Sequence, residues 1–174
     1  MSSSAARAPR PQYSPSQIPG LDEADERSWQ YFFESSTQLY ETLNRILVDV
    51  HQLTLLDVLL LDELDRSEGS VRMGDLSETL ILLPSRVSQQ VRRLESRGLV
   101  RRDPSTHDRR SVLASITRDG RERVIEVRGT YAQAIRDHYL AHLSRQQMVA
   151  MSEGARRLSD GLKNSGHQPE FSRI

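Results

Sequence analysis

The apolar period of this chain changes abruptly between residues 84 and 117, and that change restricts the fold more than any other feature. From Pro84 to Gly98, Val87, Val91 and Leu94 stand at i, i+4 and i+7, the narrow stripe of a helix buried along one side. Pro84 suits the first helical position, where its missing N–H costs no bond, and Gly98 suits the stop. Beyond Gly98 the period falls to two. Leu99-Val100-Arg101-Arg102 and Ser111 to Thr117 read as two antiparallel strands, joined by a loop Asp103–Arg110 in which Asp103-Pro104-Ser105 favours a turn.

The flanking segments are helical in period. Trp29, Phe32, Phe33, Leu39, Leu43, Ile46, Leu47 and Val50 recur at three- and four-residue steps and predict one long helix over 22–50. Thr54 is the expected N-cap of a second helix with Leu56, Leu59, Leu60 and Leu64 inward, ending near the polar segment 66–70. A short helix from Gly74 to Leu80 follows, then a turn at Ile81–Leu83. After the strands, Thr117 should cap a helix reaching about residue 143 on Val124, Val127, Tyr131, Ile135, Tyr139 and Leu143. Ser144-x-x-Gln147 forms a capping box for a last helix carrying Met148, Met151, Ala155, Leu158 and Leu162.

A short helix, a tight turn, an amphipathic helix and a ribbon make a mainly α chain with a small β-hairpin wing. That is a winged helix-turn-helix lobe, here at 53–118. The long helix at 21–52 and the helices at 119–163 flank that lobe at opposite ends of the chain. Residues 1–20, with Pro9, Pro11, Pro15 and Pro19, read as a disordered leader, and 164–174 as a flexible tail.

Charge sharpens the reading. The chain has 24 basic and 24 acidic residues, yet Arg86, Arg92, Arg93, Arg97, Arg101, Arg102, Arg109 and Arg110 crowd one segment while acids dominate residues 21–68. Such a dipolar layout suits a protein that turns one face to a polyanion. The chain has no cysteine, which excludes disulfides and thiolate metal sites. No apolar run approaches the ~20 residues of a membrane span, and the opening segment lacks the apolar core of a signal peptide, so the expected compartment is the cytoplasm. Gly-rich phosphate loops, nucleophile elbows and HExxH are all missing from the sequence. The chain is therefore not expected to be an enzyme or to hold a cofactor or metal.

Met73 to Leu80, Pro84-Ser85-Arg86-Val87-Ser88, Leu94 to Val100, Asp108-Arg109-Arg110 and Ile116 to Gly120 together resemble the MarR family of winged-helix transcription regulators. The resemblance implies that Arg110 enters a minor groove, braced by Asp108. That agrees with the preference of a narrow groove for a planar, weakly hydrated guanidinium. It also implies that the helices at 21–52 and 119–163 of two subunits form a helical dimerisation domain, with a cleft for aromatic or phenolic effectors. Ser88-Gln89 stands where the family often has Thr-Arg, and Ile116 replaces the usual leucine before Thr117.

Ser85, Arg86, Ser88, Gln89 and Gln90 are therefore expected to face a major groove. Arg92 and Arg93 should reach phosphates, with Asp108, Arg109 and Arg110 at the wing tip. One recognition helix reads too few base pairs to select a site, so the expected partner is an imperfect inverted repeat of double-stranded DNA bound by a homodimer. Trp29, Phe32, Phe33 and His51 are the candidates for an effector pocket, with plain core as the competing reading. His138 and His142 have a zinc-compatible spacing but no third ligand, and read as interface or surface histidines. His107 reads as DNA-proximal or a spectator. The rival from another class is a winged-helix module that binds proteins and not DNA.

Overall fold

The computed structural model describes residues 18–67, 70–104 and 112–164. The chain divides into two compact units, Met1–Gln38 and Leu39–Ile174. Helix α1, Glu23–His51, runs through both. In the first unit it presents Trp29 stacked on Phe33, with ring centroids 5.5 Å apart, and Trp29, Phe32 and Phe33 all stay exposed.

The second unit holds the core. α2 (Leu55–Arg66), β1 (Ser70–Arg72), α3 (Met73–Thr79), α4 (Pro84–Ser96), β2 (Val100–Pro104), β3 (Val112–Ile116) and α5 (Arg118–His138) follow in order. A 3-10 turn, Leu140–His142, then leads to α6, Arg145–Asn164. Leu43 and Leu47 of α1 join Leu60, Leu61 and Leu64 of α2, Leu76, Val87, Val91 and Leu94 around one cluster, which Val124 and Val127 of α5 extend. Arg128 fastens α5 to α2, donating from Nε to Asp62 at 2.9 Å and pairing through Nη2 with Asp65 at 2.8 Å.

The local signals act as expected. Thr54 accepts from Asp57 N–H, Thr117 Oγ1 accepts from Gly120 N–H at 3.0 Å, and Ser144 and Gln147 satisfy one another's backbone. Gly98 closes α4 with φ +72°, a conformation that disfavours any other residue.

Several expectations are corrected. The sheet has three strands in the order β1-β3-β2, not two. Ser70–Arg72 pairs antiparallel with Leu113–Ser115, in a strand too short to show an alternating period. β2 continues through Asp103 and Pro104, paired with Leu113 and Val112, where a turn was expected. Pro104 is tolerated because β2 lies at the sheet edge. In α2 the inward residues include Leu55, Val58 and Leu61, whereas Leu59 is exposed. α5 ends at His138, so Tyr139 and Leu143 do not extend its face. His138 and His142 consequently do not share one helix face, and no cluster of three or more metal-ligating residues occurs among the described residues. No described residue of α6 is buried, including Met151, Leu158 and Leu162. No described helix is long and apolar enough to cross a membrane.

Candidate nucleic-acid interface

α3 and α4 meet at a turn in which Ile81 has φ +53°. Leu83 N-caps α4 without a side-chain bond and Pro84 opens it, so the exposed first turn carries no carboxylate. Its residues fall on three adjacent ridges at i, i+4, i+7. Val87, Val91 and Leu94 are wholly buried. Arg86, Gln90 and Arg93 form the middle ridge, and Ser85, Gln89 and Arg92 the outer one. Among the described residues, the side chains of Ser85, Arg86, Ser88, Gln89 and Arg92 make no hydrogen bond or ion pair. Exposed donors without internal partners are what base edges and phosphates require.

Gln90 and Arg93 behave differently. Arg93 Nη2 donates to Asp57 Oδ2 at 2.6 Å, and Gln90 Nε2 donates to Asp57 Oδ1. Asp57 is fully buried at the start of α2, where its Oδ2 also accepts from Thr54 N–H at 2.8 Å. Asn44 of α1 completes that end of α2 by accepting from Leu55 N–H at 2.9 Å.

The remaining arginines divide in the same way. Arg102 donates from Nε to Glu95 Oε2 at 2.7 Å, tying β2 to the last turn of α4. That hydrogen bond holds the Glu95 carboxyl below the usual range, so it is ionised throughout neutral pH. Arg97 donates to the Gln52 carbonyl at 2.8 Å, and Arg101 pairs with Asp103 at 2.7 Å. Arg93, Arg97, Arg101 and Arg102 thus have internal partners, while Arg86 and Arg92 have none among the described residues. Asp108, Arg109 and Arg110, with His107, lie outside the described residues.

Sequence reasoning missed the braces on the helix. Asp57 is the third residue after the Thr54 N-cap and sits between Leu55-Leu56 and Val58-Leu59-Leu60-Leu61. An acid in that setting is a legible capping-box signal. Its second role, toward α4, depends on residues more than thirty positions away.

The residues considered for an effector fall in both units. Trp29, Phe32 and Phe33 are exposed in the first unit, while His51 is buried in the second. His51 Nε2 shares a 2.8 Å hydrogen bond with Thr130 Oγ1, and its carbonyl accepts from Arg123 at 2.7 Å. Burial, then the Arg123 charge, lowers its pKa from 6.5, against a smaller opposing effect of Glu126. Two clefts of the second unit are lined by other residues. One, of about 470 Å³, lies where Tyr40 and Asn44 of α1, Thr54 and Arg86, Gln89 and Arg93 of α4 converge. The other, of about 400 Å³, lies along α5 beside Thr130, Gln133 and Asp137.

Residues 51–111 match the model of the MarR family. The HTH-type transcriptional repressor MdtR of Bacillus subtilis (strain 168) is 27% identical over 103 residues, which are 59% of this chain and 66% of that protein. The structure of Sco3205, a MarR family transcriptional regulator from Streptomyces coelicolor, in complex with DNA, is 27% identical. It covers 88% of this chain and 94% of its own, with a TM-score of 0.78. Bordetella bronchiseptica BpsR, solved to explain regulation of its DNA binding by 6-hydroxynicotinic acid, is 23% identical. It covers 81% of this chain and 99% of its own with a TM-score of 0.71, a likeness of fold alone.

Proposed function

We propose that this chain is a MarR family transcriptional regulator, a homodimeric repressor released from DNA by a small aromatic or phenolic ligand. Two copies present α4 to an imperfect inverted repeat, with half-sites about one helical turn apart. The observation that carries the reading is the outer ridge of α4. Ser85, Gln89 and Arg92, with Ser88 and Arg86, are polar and lack partners among the described residues. Sco3205, which shares the fold, was solved in complex with DNA. The compartment that goes with this function is the cytoplasm.

Dimerisation is supported by α6. Met151, Leu158 and Leu162 share one side of α6 and are exposed in the single chain, an apolar face that a second subunit would cover. Release by a ligand is supported by the cleft at Tyr40, Arg86 and Gln89. A ring seated there would occupy groups that the duplex also needs, and BpsR offers a fold-level example of ligand-controlled binding.

Selection of bound sequences from a random duplex pool, followed by titration at several salt concentrations, tests the proposal. A palindromic consensus with a steep salt slope is expected. Retention of no duplex at low salt would instead favour a protein-binding winged helix.

A further inference from the structure

We infer that Asp57 is a positioning residue for sequence recognition: from inside the core it sets the rotation of α4 about its own axis, using Gln90 and Arg93 as two struts. The inference rests on the DNA-binding reading and refines it, because it moves Gln90 and Arg93 out of the set of residues that touch DNA.

The geometry is that of a brace. Gln90 and Arg93 are three residues apart on one ridge of α4, and both reach the same carboxylate, one to each oxygen. Gln90 also lies 3.4 Å from Thr54 Oγ1, so the strut engages the N-cap as well as the acid. Asp57 cannot follow a rolling helix, because its own backbone N–H is held by Thr54 Oγ1 at 3.1 Å and its side chain is wholly buried. Glu95 and Arg102 provide a second tie at the far end of the helix. A roll of α4 toward or away from α2 would break the Asp57 bonds and strand a buried charge, an expensive outcome. The apolar ridge alone is less restrictive, since hydrophobic contact is non-directional.

What this accomplishes is register in the groove. With the middle ridge tied at Gln90 and Arg93, the outer ridge of Ser85, Gln89 and Arg92 becomes the apex of the helix. Base-edge hydrogen bonds tolerate little misalignment. Phosphate attraction tolerates much more. Loosening the brace should therefore erode discrimination between sequences while leaving general affinity for DNA in place.

The test uses the full-length protein, an operator selected from a random duplex pool and a scrambled duplex of equal length, titrated across salt below each variant's melting temperature. In Arg93→Gln the operator-to-scrambled affinity ratio should fall roughly tenfold, with the salt slope unchanged. Arg92→Gln should lower the slope by about 0.9 for each phosphate that it no longer neutralises. Asp57→Asn should reduce the ratio as Arg93→Gln does, and the double variant should lose no more than either alone, the signature of residues acting as one unit. Should Asp57→Asn fold poorly, Gln90→Ala replaces it in that cycle with the same expectation. Two results overturn the inference: a fall in slope for Arg93→Gln equal to that of Arg92→Gln, with both duplexes weakened alike, or an unchanged ratio. If the unaltered protein binds neither duplex, the DNA-binding reading fails and the inference falls with it.

Discussion

Gly120 passes directly beneath Leu99: a side-chain carbon at position 120 would fall on the Leu99 carbonyl oxygen and against Ile116. That carbonyl already accepts from Thr117 N–H at 3.1 Å, and Thr117 Oγ1 donates to the Gly98 carbonyl at 2.7 Å, so the backbone around it has little freedom to retreat. The crossing joins the end of α4, the end of β3 and the start of α5 in one knot. Gly120→Ala is expected to destabilise the fold by about 1–3 kcal/mol through overpacking. Denaturant unfolding should show a lower midpoint, and an unchanged midpoint would mean that the close approach is relaxed in solution.

Ile81 takes φ +53° in the turn between α3 and α4 while 79% exposed. A β-branched residue is strained there, and its exposure leaves little packing to offset the cost. Ile81→Asn should stabilise the protein by roughly 0.5–1 kcal/mol, since asparagine enters that region more easily. A melting temperature equal to or below that of the parent would contradict the strain.

His51 gives stability a pH dependence whose sign follows from its burial beside Arg123. Its folded pKa lies below the ordinary 6.5, so the folded state prefers the neutral ring. The stabilisation is complete above 6.5 and is lost as pH falls through the folded value. The groups facing the ring are Thr130, Arg123 and Glu126 of α5. The stability difference between the parent and His51→Gln should therefore be largest at neutral pH and shrink on acidification, as read from paired unfolding curves. A difference that grows toward acid would reverse the assignment.

The exposed apolar face of α6 should control assembly. Leu158→Asp with Leu162→Asp places charges on a face whose residues are otherwise bare. Sedimentation is expected to shift from dimer to monomer, with operator binding lost alongside. A double variant that remains dimeric would move the interface elsewhere.

Arg110→Ala should weaken operator binding by about 1–3 kcal/mol at matched salt. Unchanged affinity would reject insertion of that arginine into a groove.

Much of this molecule could be read from the chain alone, because the signals were local. Val87, Val91 and Leu94 specify which side of α4 is buried, and Thr54, Thr117 and the Ser144–Gln147 pair mark helix starts through bonds spanning three residues. The change from a period of 3.6 to one of 2 located the hairpin. Tertiary structure decided what distant partners decide. β1 exists as a strand only because β3, more than forty residues later, supplies its hydrogen bonds. The crowded arginines look alike in sequence, yet Asp57, Gln52, Asp103 and Glu95 commit Arg93, Arg97, Arg101 and Arg102 and leave Arg86 and Arg92 uncommitted among the described residues. Periodicity tells which way a side chain points. Whether a charge is held or available depends on what the rest of the fold brings within about 3 Å of it.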